Sequence, residues 1–205
     1  MKKLDINKLN EIIELLNNDG IIAFPTDTVY GLGCLYNSPL AIDKIKKTKG
    51  RDGQKPLPMM VSNIKQIEEI AYVSEDAQRV INQFMPGPLT VVLKKQSHIE
   101  DYITNGFETI AIRIPNHSGL LSILHALGQP MLVTSANLSN KPDKYHSQDV
   151  IDEIGALIDG IIEGSSDSQQ ASTIVDLTSG IKILREGPIK EIDLMKGKEY
   201  ENCDR

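Results

Sequence analysis

The sequence predicts an α/β fold built on a mixed sheet, and three observations carry that prediction. Stretches with apolar residues three and four apart alternate with short runs of strand formers. The alternation is irregular, which favours a mixed sheet over a clean series of βαβ units. One strand-like run, Ile21-Ile22-Ala23-Phe24, stops at Pro25 and opens into Thr26, Asp27, Thr28 and Tyr30, with Gly31 and Gly33 as permissive backbone beside them. Hydroxyls, a carboxylate and bare backbone at the end of a buried strand are what a ligand site on an α/β sheet is made of. An ordinary strand and turn fits the same residues, so this loop alone does not decide function.

The elements follow in order. Ile6, Leu9, Ile13 and Leu16 recur at helical spacing and predict a helix over 6–18, capped by Asp5 and stopped by Asp19-Gly20. The strand at 21–24 comes next. Ser38 and Pro39 supply an N-cap and a first-turn proline for a helix over 40–48, with Ile42 and Ile45 inward. Leu57 to Val61 read as a strand. Two short helices are expected after Ser62 and Ser74, the second with Ala77, Val80, Ile81 and Phe84 as its apolar face. Pro86-Gly87-Pro88 ends it, Leu89 to Leu93 are strand-like, and residues 96–107 read as a polar excursion. A strand over 109–114 carries Arg113, and Asn116 caps a helix over 118–127 that stops at Gly128. Met131 to Val133 form a short strand running into Thr134-Ser135-Ala136-Asn137, and Ser147 caps a helix to Ile154. Strands are expected at 157–162, 172–177 and 181–185. This gives a single domain over 1–190 and a charged, frayed tail over 191–205.

Composition narrows the function. The chain of 205 residues can bury a real core, and 40% hydrophobic content is ordinary for a soluble globular protein. Trp is absent and aromatics make up 4%, which argues against base-stacking platforms for single-stranded nucleic acid. A formal net charge of −6 argues against broad binding to a polyanion while leaving room for a local basic cleft. Cys34 and Cys203 form no CxxC, so neither a disulfide framework nor a zinc pattern is indicated, and a reduced, cytoplasmic setting is expected. Asp5, Glu11 and Glu14 interrupt the N-terminal region too early for a signal peptide, and no apolar run approaches a membrane span.

Four places could carry chemistry. The loop Lys49-x-Arg51-x-x-x-Lys55 concentrates cations of the kind a triphosphate needs, although a solvated helix end has the same composition. Arg113 sits in the apolar strand Ile110-Ala111-Ile112-Arg113-Ile114 and, if buried, needs an anion, either a substrate carboxylate or a protein Asp or Glu. Thr134 to Asn137 and the pair Ser172-Thr173 offer hydroxyls and an amide at strand ends, for a ligand or for capping the next turn. The sequence holds no Walker A motif, no GxGxxG and no GxSxG, and its four histidines show no metal spacing.

Seven segments in order resemble the YrdC-like family, the threonylcarbamoyl-AMP synthases of TsaC type. They are P-T-D-T-V-Y-G-L-G at 25–33, K-G-R at 49–51 with K-P-L at 55–57, P-G-P-L-T at 86–90, A-I-R-I-P at 111–115, T-S-A-N-L-S at 134–139, S-T-I-V-D at 172–176 and L-R-E-G-P-I at 184–189. The length is similar to the short form of the family. The resemblance implies a twisted, open mixed sheet with flanking helices around a basic cavity. It implies a nucleotidyltransferase making threonylcarbamoyl-AMP and pyrophosphate from L-threonine, bicarbonate or carbon dioxide, and ATP. The product would feed threonylcarbamoyladenosine modification of tRNA through separate downstream transfer enzymes, with weak contact to tRNA itself.

By the same resemblance, Lys49 and Arg51 are the catalytic pair and, with Lys55, line the phosphates. Thr28, Arg113, Ser135 and Ser172 hold threonine, with Arg113 on its carboxylate. Thr109, Asn137 and Arg185 complete the ATP side. Magnesium comes with ATP, held by phosphates and water, with no protein metal site. Met60 stands where many members carry His, and Glu186 takes the place of a proline beside Arg185. The alternative is a YciO-like paralogue that binds nucleotide or RNA without threonine-dependent synthesis.

Overall fold

A computed structural model describes residues 1–50, 56–168 and 170–195. The first third of the chain contains β1 (Lys2–Leu4), α1 (Leu9–Asn17), β2 (Ile22–Phe24), β3 (Gly31–Leu35), α2 (Pro39–Thr48) and β4 (Met59–Met60). The middle contains α3 (Ile64–Ile70), β5 (Ala71–Tyr72), α4 (Glu75–Phe84), β6 (Leu89–Lys95), α5 (Asp101–Thr104), β7 (Thr109–Arg113), α6 (Ser118–Leu127) and β8 (Met131–Ser135). The rest contains α7 (Ser147–Ile154), a 3₁₀ turn (Gly155–Leu157), β9 (Gly160–Ile162), β10 (Thr173–Asp176), β11 (Lys182–Arg185) and α8 (Glu191–Met195).

The strands form one mixed sheet in the order β1-β9-β2-β3-β8-β4-β7-β6-β10-β11, with β5 paired to β6 outside that path. The sheet combines the parallel pairs β1/β9, β2/β9, β4/β7 and β6/β10 with antiparallel ones such as β2/β3 and β3/β8, the mixed sheet that the irregular sequence pattern predicts. Alternation along each strand sends side chains to opposite faces. Ile22, Phe24, Met60, Met131 and Val133 share an apolar layer with Ile12 and Leu16 of α1 and Leu120, Ile123 and Leu124 of α6. Ala23, Leu32, Met59, Ile112 and Leu132 join the larger layer with Ile42 and Ile45 of α2, Val80 and Ile81 of α4 and Val150 of α7. Cys34 belongs to that second layer, and burial pushes its thiol up to about 12.

Several boundaries differ from the sequence expectation for local reasons. Asp5 does not cap α1; its Oδ1 accepts from the Asn7 backbone at 2.9 Å, so the helix begins only at Leu9. The helix expected after Ser62 is α3, which begins at Ile64 and is capped by Asn63, accepting from the Gln66 N–H at 3.0 Å. His117 rather than Asn116 caps α6, its Nδ1 accepting from the Leu120 N–H at 3.2 Å. Ser147 is the first residue of α7 and leaves its cap position to His146, which makes no side-chain bond there. The chain beyond 190, expected as a tail, opens with α8, whose Leu194 is fully buried.

Gly31 and Gly33 are a larger correction. They lie inside the buried strand β3, not in a loop. A Cβ on Gly31 would sit 2.8 Å from Phe24 Cε2, and one on Gly33 would meet Met131 and Phe24 at 3.0 Å. Space, not backbone freedom, is what these glycines supply.

Candidate functional site

The cleft opens on the sheet face that carries Met60 and Val133. Its volume is about 370 Å³, and its walls include Thr26, Thr28, Gly31, Met60, Thr90, Arg113, Ser135, Asp143, Ser172 and Arg185. The β2–β3 loop, the ends of β7 and β8, and the β10–β11 hairpin bring these residues together. Among the predicted threonine residues, Thr28, Arg113, Ser135 and Ser172 all line it.

Arg113 is 4% exposed and fixed on three sides. Its Nε donates to Gly87 O at 3.0 Å, Nη1 to Thr28 Oγ1 at 2.7 Å and Nη2 to Asp27 Oδ1 at 2.7 Å. Burial draws its pKa below the ordinary arginine value, the Asp27 carboxylate pushes back, and Arg185 adds a smaller lowering effect. A guanidinium has five N–H groups, so one on each terminal nitrogen remains for a ligand. The protein anion left open by the sequence is thus Asp27, whose side chain is 10% exposed and whose Oδ2 is buried without a partner among the described residues. Sequence reasoning placed Asp27 in the polar loop but gave it no role. The requirement that a buried Arg have an anion was the available signal.

Thr28 belongs to a short hydroxyl relay. Thr26 Oγ1 donates to Val29 O at 2.8 Å and accepts from the Thr28 N–H at 3.0 Å, and the two threonine hydroxyls stand 3.1 Å apart. With the Thr26 proton on Val29 O, the Thr28 hydroxyl donates to Thr26 and accepts from Arg113.

Lys49 and Asn137 stand behind Ser135. Lys49, 2% exposed, donates to Ser135 O and Asn137 Oδ1, both at 2.6 Å. The Ser135 hydroxyl also donates to Asn137 Oδ1 at 2.7 Å, and Asn137 Nδ2 donates to Lys141 O at 2.6 Å. Lys49 is therefore packed into the turn that follows β8 rather than solvated at the end of α2. Arg51 and Lys55 lie outside the described residues.

On the opposite wall, Arg185 donates from Nε and Nη2 to Ser172 O at 3.1 and 2.9 Å. Ser172 Oγ lies 2.8 Å from Thr90 Oγ1. Burial lowers the Arg185 pKa and the facing Asp143 carboxylate opposes that shift. Glu186 turns away from the cleft: it is exposed and lies 3.9 Å from Lys190. Gly187 is held against the chain at 171–173, where a Cβ would meet Thr173 N at 2.4 Å. Thr109 is the one described site residue that the fold does not bring close. It begins β7 opposite Lys94, four residues from Arg113, about 13 Å along an extended strand.

A sequence model of Sua5/YciO/YrdC, described as "Telomere recombination", matches residues 14–187. The chain belongs to the Sua5/YciO/YrdC family. It is 35% identical over 183 residues to a threonylcarbamoyl-AMP synthase of Pyrococcus abyssi, covering 87% of this chain and 54% of that protein. Among solved structures, P. abyssi Sua5 complexed with L-threonine superimposes with a TM-score of 0.88 at 30% identity, over 95% of this chain and 59% of that one. Escherichia coli YciO superimposes with a TM-score of 0.83 at 26% identity, over 92% of this chain and 95% of that one. The chain thus spans about half the length of the curated relatives it matches, and nearly the whole of YciO.

Within this family frame, sequence reasoning named Thr26 and Asp27 in the candidate ligand loop without giving either a role, and it missed Thr90 and Asp143 as parts of the cleft. Thr90 ends the segment P-G-P-L-T, which supports the resemblance but assigns it no role. Nothing in the sequence singled out Asp143, whose position depends on the path of the loop after β8. Among the described residues no group of three or more His, Cys, Asp or Glu is placed to hold a metal, and no helix is long and apolar enough to cross a membrane.

Proposed function

We propose that the chain is a nucleotidyltransferase that makes threonylcarbamoyl-AMP from L-threonine, bicarbonate or carbon dioxide, and ATP. The observation that carries this reading is Arg113, a buried guanidinium in the cleft with two N–H groups left over and hydroxyls around it. That is a receptor for a small carboxylate. The P. abyssi protein solved with L-threonine supports which carboxylate it is.

In this reading the threonine amine adds to carbon dioxide and loses a proton, giving a carbamate. A carbamate oxygen then attacks the α-phosphorus of ATP, and pyrophosphate leaves. No protein nucleophile is needed, so the side chains work by positioning and by neutralising charge. Arg113 and Thr28 hold the carboxylate end, and Ser135 and Ser172 flank the reacting amine. Arg185 faces the nucleotide from the far wall, with Arg51 and Lys55 on the phosphates. Lys49 acts through Ser135 and Asn137. Magnesium would ride on the phosphates with water, and the product would pass to separate enzymes that modify tRNA.

The fit to YciO over nearly its whole length favours a second reading, nucleotide binding without threonine-dependent synthesis. One assay separates the two. Purified protein with ATP, magnesium and bicarbonate should release pyrophosphate only when L-threonine is added, and mass spectrometry should find the mixed carbamoyl adenylate. ATP binding with no threonine-dependent release would discard the synthase in favour of the second reading.

A further inference from the structure

The wall of the cleft that faces Arg185 is the stretch between β8 and α7, residues 136–146, which has no regular helix or strand. Two of its residues bear on the cleft. Asn137 receives the Lys49 ammonium at its root, and Asp143, further along, lines the cleft across from Arg185. Bonds within the stretch, from Asn137 Nδ2 to Lys141 O at 2.6 Å and Pro142 O at 3.3 Å, give it a shape. Glu153 ties that shape to the core. One of its oxygens accepts from the Leu138 N–H at 2.7 Å, directly after Asn137. The other lies 2.9 Å from Lys144 Nζ, directly after Asp143. A backbone bond from the Tyr30 N–H to Lys144 O at 2.8 Å adds to the second tie. Glu153 has a firm base, because Val150 and Ile154, which flank it in α7, are buried in the larger core layer.

From this geometry we infer that Glu153, which does not line the cleft, is a positioning residue for its nucleotide side, a role that rests on the reading of Lys49, Asn137 and Arg185 as that side. A hydrogen bond to a charged group is worth roughly ten- to hundredfold in an equilibrium. Without Glu153 the stretch keeps its internal bonds but is free to stand nearer to or farther from the β10–β11 hairpin. Ligand affinity then falls with the fraction of time spent in the competent position. The amino-acid side is built otherwise. Arg113 is held by Gly87, Thr28 and Asp27, none of which belongs to this stretch. Loss of Glu153 therefore weakens ATP and spares L-threonine, a split that general loosening of the fold does not produce.

Calorimetric titration of the wild type and the variants Glu153→Ala, Glu153→Asp and Glu153→Gln with magnesium-ATP and with L-threonine tests this, each variant first shown folded by its thermal melt. Glu153→Ala should weaken ATP by about tenfold or more and leave threonine within about threefold. Glu153→Gln, which keeps an acceptor for the Leu138 N–H, should bring ATP back to within about threefold of the wild type. Glu153→Asp keeps the charge but falls one carbon short of the two limbs. It should weaken ATP by about threefold or more, and it remains measurable if Glu153→Ala unfolds. Unchanged ATP affinity in a folded Glu153→Ala or Glu153→Asp overturns the role, and so does an equal loss for both ligands. A wild type that binds ATP but no threonine discards the synthase and leaves the ATP comparison to decide on Glu153. A wild type that binds no ATP removes the nucleotide side itself, and this inference with it.

Discussion

Arg113 is costly to keep charged where it is, and Asp27 is what permits it. The two side chains form a salt bridge at 2.7 Å with 5% and 10% of their surface exposed. Removing one member of such a pair leaves the other charge buried, which costs about 3–5 kcal/mol. Asp27→Ala should therefore lower stability by an amount in that range, read as a shift of the urea midpoint at constant slope. Asp27→Asn, which keeps an acceptor for Nη2, should cost clearly less. The sequence made the need for this partner legible, because an arginine in an apolar strand demands an anion. It did not make the choice legible, because substrate and protein carboxylates satisfy the same rule. Lys49 teaches the complementary lesson. Its place in a basic run suggested a solvated helix end, and only the fold shows it bonded to Ser135 and Asn137.

The turn after β8 is an element with little structure of its own, and a carboxylate on α7 adds to the bonds from Lys49 and Asn137 that hold it. Glu153 on α7 accepts from the Leu138 N–H at 2.7 Å and pairs with Lys144 at 2.9 Å. Lys144 in turn gives its carbonyl to the Tyr30 N–H at 2.8 Å, which ties the turn to the start of β3. Burial pushes the Glu153 pKa up, but the bonds from Lys144 and Leu138, with Lys141 nearby, outweigh it and hold the group below the usual carboxylate range. A carboxylate whose pKa is lowered on folding stabilises above its unfolded pKa, and that contribution fades as pH falls through the folded value. The loss belongs below about pH 4.3. Thermal melts between pH 5 and 3 should therefore fall more steeply for the wild type than for Glu153→Gln. Helices such as α2 and α4 were legible because Ser38 and Ser74 cap them and their apolar faces repeat. β3 was not, because Gly31 and Gly33 read as loop until Phe24 is seen packed over them.

At the scale of the whole molecule, the sequence conveyed the class of fold but not its order of strands. β9 pairs with both β1 and β2, and β8 lies between β3 and β4, so neighbours in the sheet are distant in the chain. No local pattern encodes such pairing, which is settled by tertiary packing. The C-terminal end is a second case. Charge along 191–205 suggested a tail, yet Leu194 is fully buried and its carbonyl accepts from Arg79 Nη1 at 3.3 Å. Leu194→Ala should cost about 2–5 kcal/mol, measured by denaturant unfolding. The enclosure of Arg113 also has a consequence for encounter rates. At physiological ionic strength exposed charges act on an approaching anion only within a screening length of about 8 Å, and Arg113 lies below the surface on the floor of the cleft. Attraction to Arg113 therefore begins only once an anion has entered the cleft, and added salt changes the rate of encounter little. Such a ligand reaches the cleft by ordinary diffusion to its mouth, with no long-range capture to speed it.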